Sequence, residues 1–190
     1  VKDVSASLLR AHRGGMLNTR ELLDIAGLLR AARRVKDYRG SESDRDTVLD
    51  GMFDALHGGR FLEEQITRAI PEENEIADNA SPELADIRRH MRAASAKSRQ
   101  ILQKIISSSA YSKALQENLV TQRDGRFVVP VKAEYRSEIP GLVHDVSSSG
   151  ATIFVEPMGV VQANNELKEL EAKEKKEIDR ILLRLSQEAA

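Results

Sequence analysis

The chain has 190 residues, of which 41% are hydrophobic, 31% charged and 4% aromatic, with a formal net charge of −1. That is enough apolar material for a core, but so much charge with so few aromatics favours extended, solvated helices. The lack of cysteine excludes disulfides and thiolate metal sites, and no run approaches the ~20 apolar residues of a membrane span. No signal peptide is present, so a cytoplasmic protein without a membrane partner is expected. The chain starts at Val1 without Met and stops inside a helical pattern at Ala190, as an excised fragment would.

Residues 3–13 form a helical pattern that Gly14-Gly15 ends. The next helix opens with a capping box, Asn18 and Glu21, and a hydrophobic staple, Leu17 with Leu22. Its stripe runs through Ile25, Ala26 and Leu29 to about Tyr38, leaving Arg30, Arg33 and Arg34 on a polar face. A polar loop over Gly40–Asp46 leads to a short helix through Val48, Leu49, Met52, Phe53 and Leu56, closed by Gly58-Gly59. Another helix, through Phe61, Leu62, Ile66, Ala69 and Ile70, ends at Pro71, and an irregular acidic stretch follows with a brief extended pair around Ile76. These pieces bury their stripes on one another as a compact body.

Ser81 caps a long helix with Pro82 at its first position. Leu84, Ile87, Met91, Ala94, Ser98, Ile101 and Ile105 follow as a heptad-like seam. From Pro82 to Ser107 such a helix is ~40 Å long. A returning helix carries a matching seam, Leu167, Leu170, Glu174, Ile178, Ile181 and Leu185. The pair is expected to run antiparallel as a two-helix coiled-coil arm.

Between them, Arg123–Pro157 is the one stretch rich in β-branched residues. Asp124-Gly125 marks a two-residue hairpin turn, which sets Arg123 opposite Arg126, Thr121 opposite Val128 and Leu119 opposite Pro130. Val120, Gln122, Phe127, Val129 and Val131 then share the face to be buried. Opposed arginines on the outer face, with Lys132 beyond, call for a negative partner, internal or external. Nucleic-acid phosphate and a solvated hairpin tip are both open readings. A second hairpin, Leu142–Val146 with Ala151–Glu156, turns at Ser147–Gly150, and its register stays open. Pro130, lacking an N–H, belongs at an edge or a bulge. The fold class is mainly α, with a small antiparallel sheet of three or four strands at the tip of the arm.

Charge is segregated. Residues 1–40 hold nine Lys and Arg against four acids, 41–86 three against thirteen and 87–122 seven against one, so the basic stretches are the first helices and the first long arm helix rather than the β-module as a whole. Nonspecific nucleic-acid affinity comes mainly from phosphate neutralisation, and these stretches supply a modest basic surface. His12, His57, His90 and His144 have no partner at metal-ligand spacing. His144-Asp145 beside Ser147–Ser149 reads as strand and loop rather than a triad, because strand neighbours point to opposite faces. No catalytic and no metal-ligating residue is assigned.

The run TQRDGRFVVPVKAEYRSEIPGLVHDVSSSGATIFVEP, with NNELKELEAKEKKEIDRIL after it, closely resembles the bacterial MutS-type-two family, MutS paralogues without the mismatch-reading domain. GGMLNTRELLDIAGLLRAARR and ADNASPELADIRR resemble its core region. The resemblance implies a helical core body over 1–80, an outgoing lever helix over 81–117, a clamp-like β-module over 118–157 and a truncated returning lever over 158–190. It implies a homodimeric ATPase that uses ATP and Mg2+ and often ends in an Smr-type endonuclease domain, parts that would lie downstream, since no G-x-x-x-x-G-K-[ST] loop occurs here. The implied partners are duplex or branched DNA, in recombination control and mismatch-repair-related work, or the ribosome. Carried onto this chain, the clamp's backbone contacts fall on Arg123, Arg126, Lys132 and Arg136. The competing class is a mechanical or protein-docking arm whose charges only solvate it.

Overall fold

The computed structural model describes residues 2–40, 50–56 and 59–190, and shows a mainly α protein with one small antiparallel β-module. It divides into two compact units, Val1–Asp86 with Glu174–Ala190, and Ile87–Lys173. Six α-helices are described: α1 (Ser5–His12), α2 (Thr19–Gly40), α3 (Asp50–Asp54), α4 (Arg60–Ala69), α5 (Pro82–Ser107) and α6 (Met158–Ala189). Strands β1 (Thr121–Arg123), β2 (Arg126–Lys132), β3 (Gly141–Val146) and β4 (Thr152–Pro157) make up the sheet. Among the described residues, no helix is long and apolar enough to cross a membrane.

In the first unit the expected caps close. Asn18 N–H donates to Glu21 Oε2 at 3.0 Å, and Glu21 N–H donates to Asn18 Oδ1 at 2.9 Å. The staple residues Leu17 and Leu22 are fully buried in one core with Ile66, Ile70, Leu84, Ile181 and Leu185. Each such side chain contributes about 1.5–3 kcal/mol by leaving water. Arg30 and Arg33 do not simply face solvent as the stripe suggested. Their guanidiniums donate to Glu63 of α4 at 2.9 and 3.1 Å, clamping α2 to α4. Those hydrogen bonds, Arg33's foremost, hold the Glu63 carboxyl below its ordinary pKa. Phe61, placed on the α4 stripe by spacing, is 71% exposed. Instead of an extended pair, a 3-10 turn over Asp78–Ala80 follows the buried Ile76. The expected loop over Gly40–Asp46 and the helix start at Val48 and Leu49 lie almost wholly outside the described residues, as do His57 and Gly58.

Ser81 caps α5: its Oγ accepts from Leu84 N–H at 3.0 Å and donates to Glu177 Oε1 at 2.6 Å. Of the outgoing seam, Leu84, Ile87, Ala94, Ser98 and Ile105 are buried, and so is Leu102, which the heptad reading left out. On the returning helix Ile181 and Leu185 are buried as expected, whereas Glu177 takes the buried position given to Glu174.

The second unit holds the sheet, four strands in the order β1-β2-β4-β3, all antiparallel. The Asp-Gly turn sets the expected register, Thr121 opposite Val128 and Arg123 opposite Arg126, with positive φ at both turn residues. One face carries Val129, Val131 and Val155 into a core with Leu102, Ile105, Leu115 and Val160. Leu119 does not reach Pro130. Gln116 N–H donates to the Pro130 carbonyl at 2.9 Å, and Leu115 makes an isolated bridge with Val131. Pro130 lies on an inner strand, yet its missing N–H falls on the side of residues 114–116. The pairing there stops at one bridge because a donor is absent.

The open register of the second hairpin is settled by a β-bulge. Val143 pairs with Val155 and Asp145 with Phe154, which leaves His144 as the extra residue. Val143 therefore shares the face of Val155, and both His144 and Asp145 engage groups on the opposite face.

Candidate nucleic-acid interface

The β-module's polar face is built round one carboxylate. Alternation places Glu156 of β4 beside Val128 of β2, on the face that also carries Arg126, Phe154 and Arg123. Glu156 is fully buried. Arg126 donates to it through Nε, at 3.0 Å to each oxygen, and through a second guanidinium nitrogen at 2.6 Å. Asn164 of α6 donates Nδ2 to Oε1 at 2.8 Å, and the His144 ring Nε2 lies 2.6 Å from Oε2. Burial pushes the Glu156 pKa up, but the hydrogen bonds from Arg126, Asn164 and His144, with the Arg126 charge, outweigh it and hold the carboxyl below its ordinary value.

Arg123 is served separately. Its Nε donates to Asp145 Oδ2 at 3.1 Å, and its guanidinium sits 4.1 Å from the centre of the Phe154 ring. The two opposed arginines are thus relieved by internal carboxylates, one each. The expectation that both present a shared exposed charge is corrected for Arg126, whose side chain is 17% exposed. Arg136 turns inward as well, donating to the Gly141 carbonyl at 3.0 Å. Lys132, half-buried, makes no ion pair with another described residue.

Spacing alone could not find Glu156, because on a two-residue alternation it reads as an ordinary outer-face acid. Its signal was the arginine pair itself, which demanded an anion. The bulge at His144 left no trace in the composition of β3.

The densest cationic surface of the unit is on α5. From Ile87 to Ser107 that helix carries six Lys and Arg and no Asp or Glu. By helical period five of them, all but the half-buried Arg88, fall on the half opposite the buried Ala94, Ser98, Leu102 and Ile105. Lys97, Arg99 and Lys104 are exposed and make no ion pair with another described residue. The whole unit, Ile87–Lys173, holds thirteen Lys and Arg against nine Asp and Glu.

Beside α5 lies a cleft of 830 Å³, lined by Leu102, Val120, Phe127 and Leu167 with Ser95 and Arg99 at its rim. Among the described residues no group of acids and histidines could hold a metal ion.

No family model matches the chain. It is, however, 49% identical to the protein named Endonuclease MutS2 of Ruminiclostridium cellulolyticum, over all of this chain and 24% of that protein. It is 48% identical to the Acetivibrio thermocellus protein of the same name, over 99% of this chain, and 49% identical to that of Pelotomaculum thermopropionicum, over 97%. The chain is thus homologous to one segment of these MutS-like proteins, and spans about a quarter of the length of the curated relatives it matches.

Proposed function

We propose that this chain is the core, lever and clamp portion of a MutS2-type DNA-binding protein, and that its second unit grips nucleic acid without reading sequence. The whole-chain identity to proteins named Endonuclease MutS2 carries the reading. The exposed Lys97, Arg99 and Lys104 of α5 support it, because a phosphate backbone is the polyanion such a surface suits. Within the β-module, Lys132 and Arg123 remain the candidates for phosphate contact, while Arg126 and Arg136 are engaged inside the unit. Duplex or branched DNA is the proposed partner, in recombination control or repair, and the ribosome offers the same backbone chemistry. Catalysis is assigned elsewhere in the protein: ATP and Mg2+ binding, nuclease action and homodimer formation belong to the longer protein this segment would serve.

A salt titration of binding to duplex DNA, branched DNA and ribosomes tests this. Binding should weaken steeply with salt, and Lys97→Ala with Lys104→Ala should flatten the logarithmic slope on duplex by about two units, close to one per lost phosphate contact. Binding without a salt slope, or none at all, would favour the protein-docking arm.

A further inference from the structure

We propose that the cleft beside α5 holds one unpaired base of a single-stranded nucleic acid, stacked on Phe127, with Arg99 on a neighbouring phosphate. This inference rests on the nucleic-acid reading above and adds a site that accepts an unstacked base.

Phe127 alternates with Val129 and Val131 on the core-facing side of β2. Those two are fully buried, whereas Phe127 is 45% exposed. An aromatic ring on a strand's apolar face is ordinarily covered, but this one opens into the cleft, beside Leu102, Val120 and Leu167. At 830 Å³ the cleft is within the range that holds small organic ligands. An apolar floor with one open ring suits a flat heterocycle, because every base has a π-face to stack.

The rim decides the ligand's charge. Arg99 lines the cleft, is exposed and makes no ion pair with another described residue. A neutral apolar peptide would gain nothing from that rim. A base joined to a phosphodiester uses both floor and rim. A base inside a duplex cannot enter, since its faces are covered by its neighbours, so the site selects unpaired strand, as found beside branches and at ends.

The experiment is photo-crosslinking of the whole protein to an oligonucleotide carrying one 5-iodouridine, as single-stranded DNA, single-stranded RNA and fully paired duplex. The adduct should map to the tryptic peptide Phe127–Lys132 with either single strand and be absent from it with the duplex, the stronger strand identifying the source. Phe127→Leu should abolish the adduct and weaken single-strand binding about fivefold or more, leaving duplex binding unchanged. Arg99→Gln should keep the adduct on Phe127 and flatten the single-strand salt slope by about 0.7. If adducts map elsewhere, or Phe127→Leu binds single strands like the parent while duplex binding persists, the base site is wrong and the clamp reading survives. If no oligonucleotide binds at all, both fail.

Discussion

Arg126 and Glu156 form the central ion pair of the β-module, three nitrogen–oxygen contacts of 2.6 to 3.0 Å on a carboxylate with no exposure. Their neighbours across the hairpin, Arg123 and Asp145, are paired at 3.1 Å but keep 36% and 50% of their side chains in water. The two pairs resemble each other in composition and differ in energy. Removing a partner from a buried pair strands a charge, whereas removing one from an exposed pair returns it to solvent.

Arg126→Ala should therefore destabilise the protein by about 3–5 kcal/mol, and Arg123→Ala by less than about 1 kcal/mol. Urea unfolding of both variants checks this. Equal losses would show that Glu156 is compensated by something other than Arg126. The double variant should be destabilised like Arg126→Ala, although relief of two opposed arginines alone would leave it unharmed.

The same pair sets an acid response. The Glu156 pKa is lower in the folded than in the unfolded protein, so its stability contribution is present above the ordinary carboxylate value. It is lost as pH falls through the lowered folded value. Melting curves between neutral pH and pH 3 should fall less steeply for Glu156→Gln than for the parent, with the variant less stable at neutral pH. Parallel curves would assign the acid sensitivity to other carboxylates, such as Glu63.

Gly141 has no room for a side chain. A Cβ there would lie 2.0 Å from the Glu156 carbonyl oxygen and 2.9 Å from a Val155 methyl. Because the first contact is backbone, relief requires β3 and β4 to part, and Gly141→Ala should cost more than about 2 kcal/mol. Gly125→Ala meets no atom within 4 Å but sits at φ +74°, so its cost is confined to turn strain of about 1 kcal/mol. Chemical denaturation of the two variants should rank them in that order.

Lysine substitutions separate the buried seam from its open flank. Ile181 is fully buried in the first unit's core, so Ile181→Lys should destabilise strongly, by several kcal/mol. Ile101 is half-buried and lines an open cleft of 660 Å³, from which a lysine ammonium can reach water. Ile101→Lys should cost markedly less, and thermal melts showing equal losses would mean that the cleft closes in solution.

The features legible in the sequence were those settled by local chemistry. Asn18 with Glu21 and Ser81 with Pro82 announce helix starts because capping needs only neighbours. Asp124-Gly125 announced the hairpin register because both residues accept positive φ. What stayed hidden depends on partners distant in the chain. Ser81 and Glu177 are 96 positions apart, and Arg126 and Glu156 are 30 apart. Leu102 and Ile101 are both apolar, and a heptad pattern alone chose the one that is less buried. The exposure of Phe127 was equally hidden, since alternation assigned it to the core with Val129.

The bulge at His144 has a consequence for behaviour at high concentration. Strand β3 ends the sheet and shows Leu142, Val143 and Val146 at 46%, 43% and 50% exposure, an apolar rim of the kind that recruits foreign strands into aggregates. A regular β3 would offer an evenly spaced row of amides and carbonyls as a template. The extra residue breaks that row between Val143 and Asp145 and twists the strand, so an incoming chain could pair for only part of its length. Deleting His144 would restore the row, with insoluble protein as the cost.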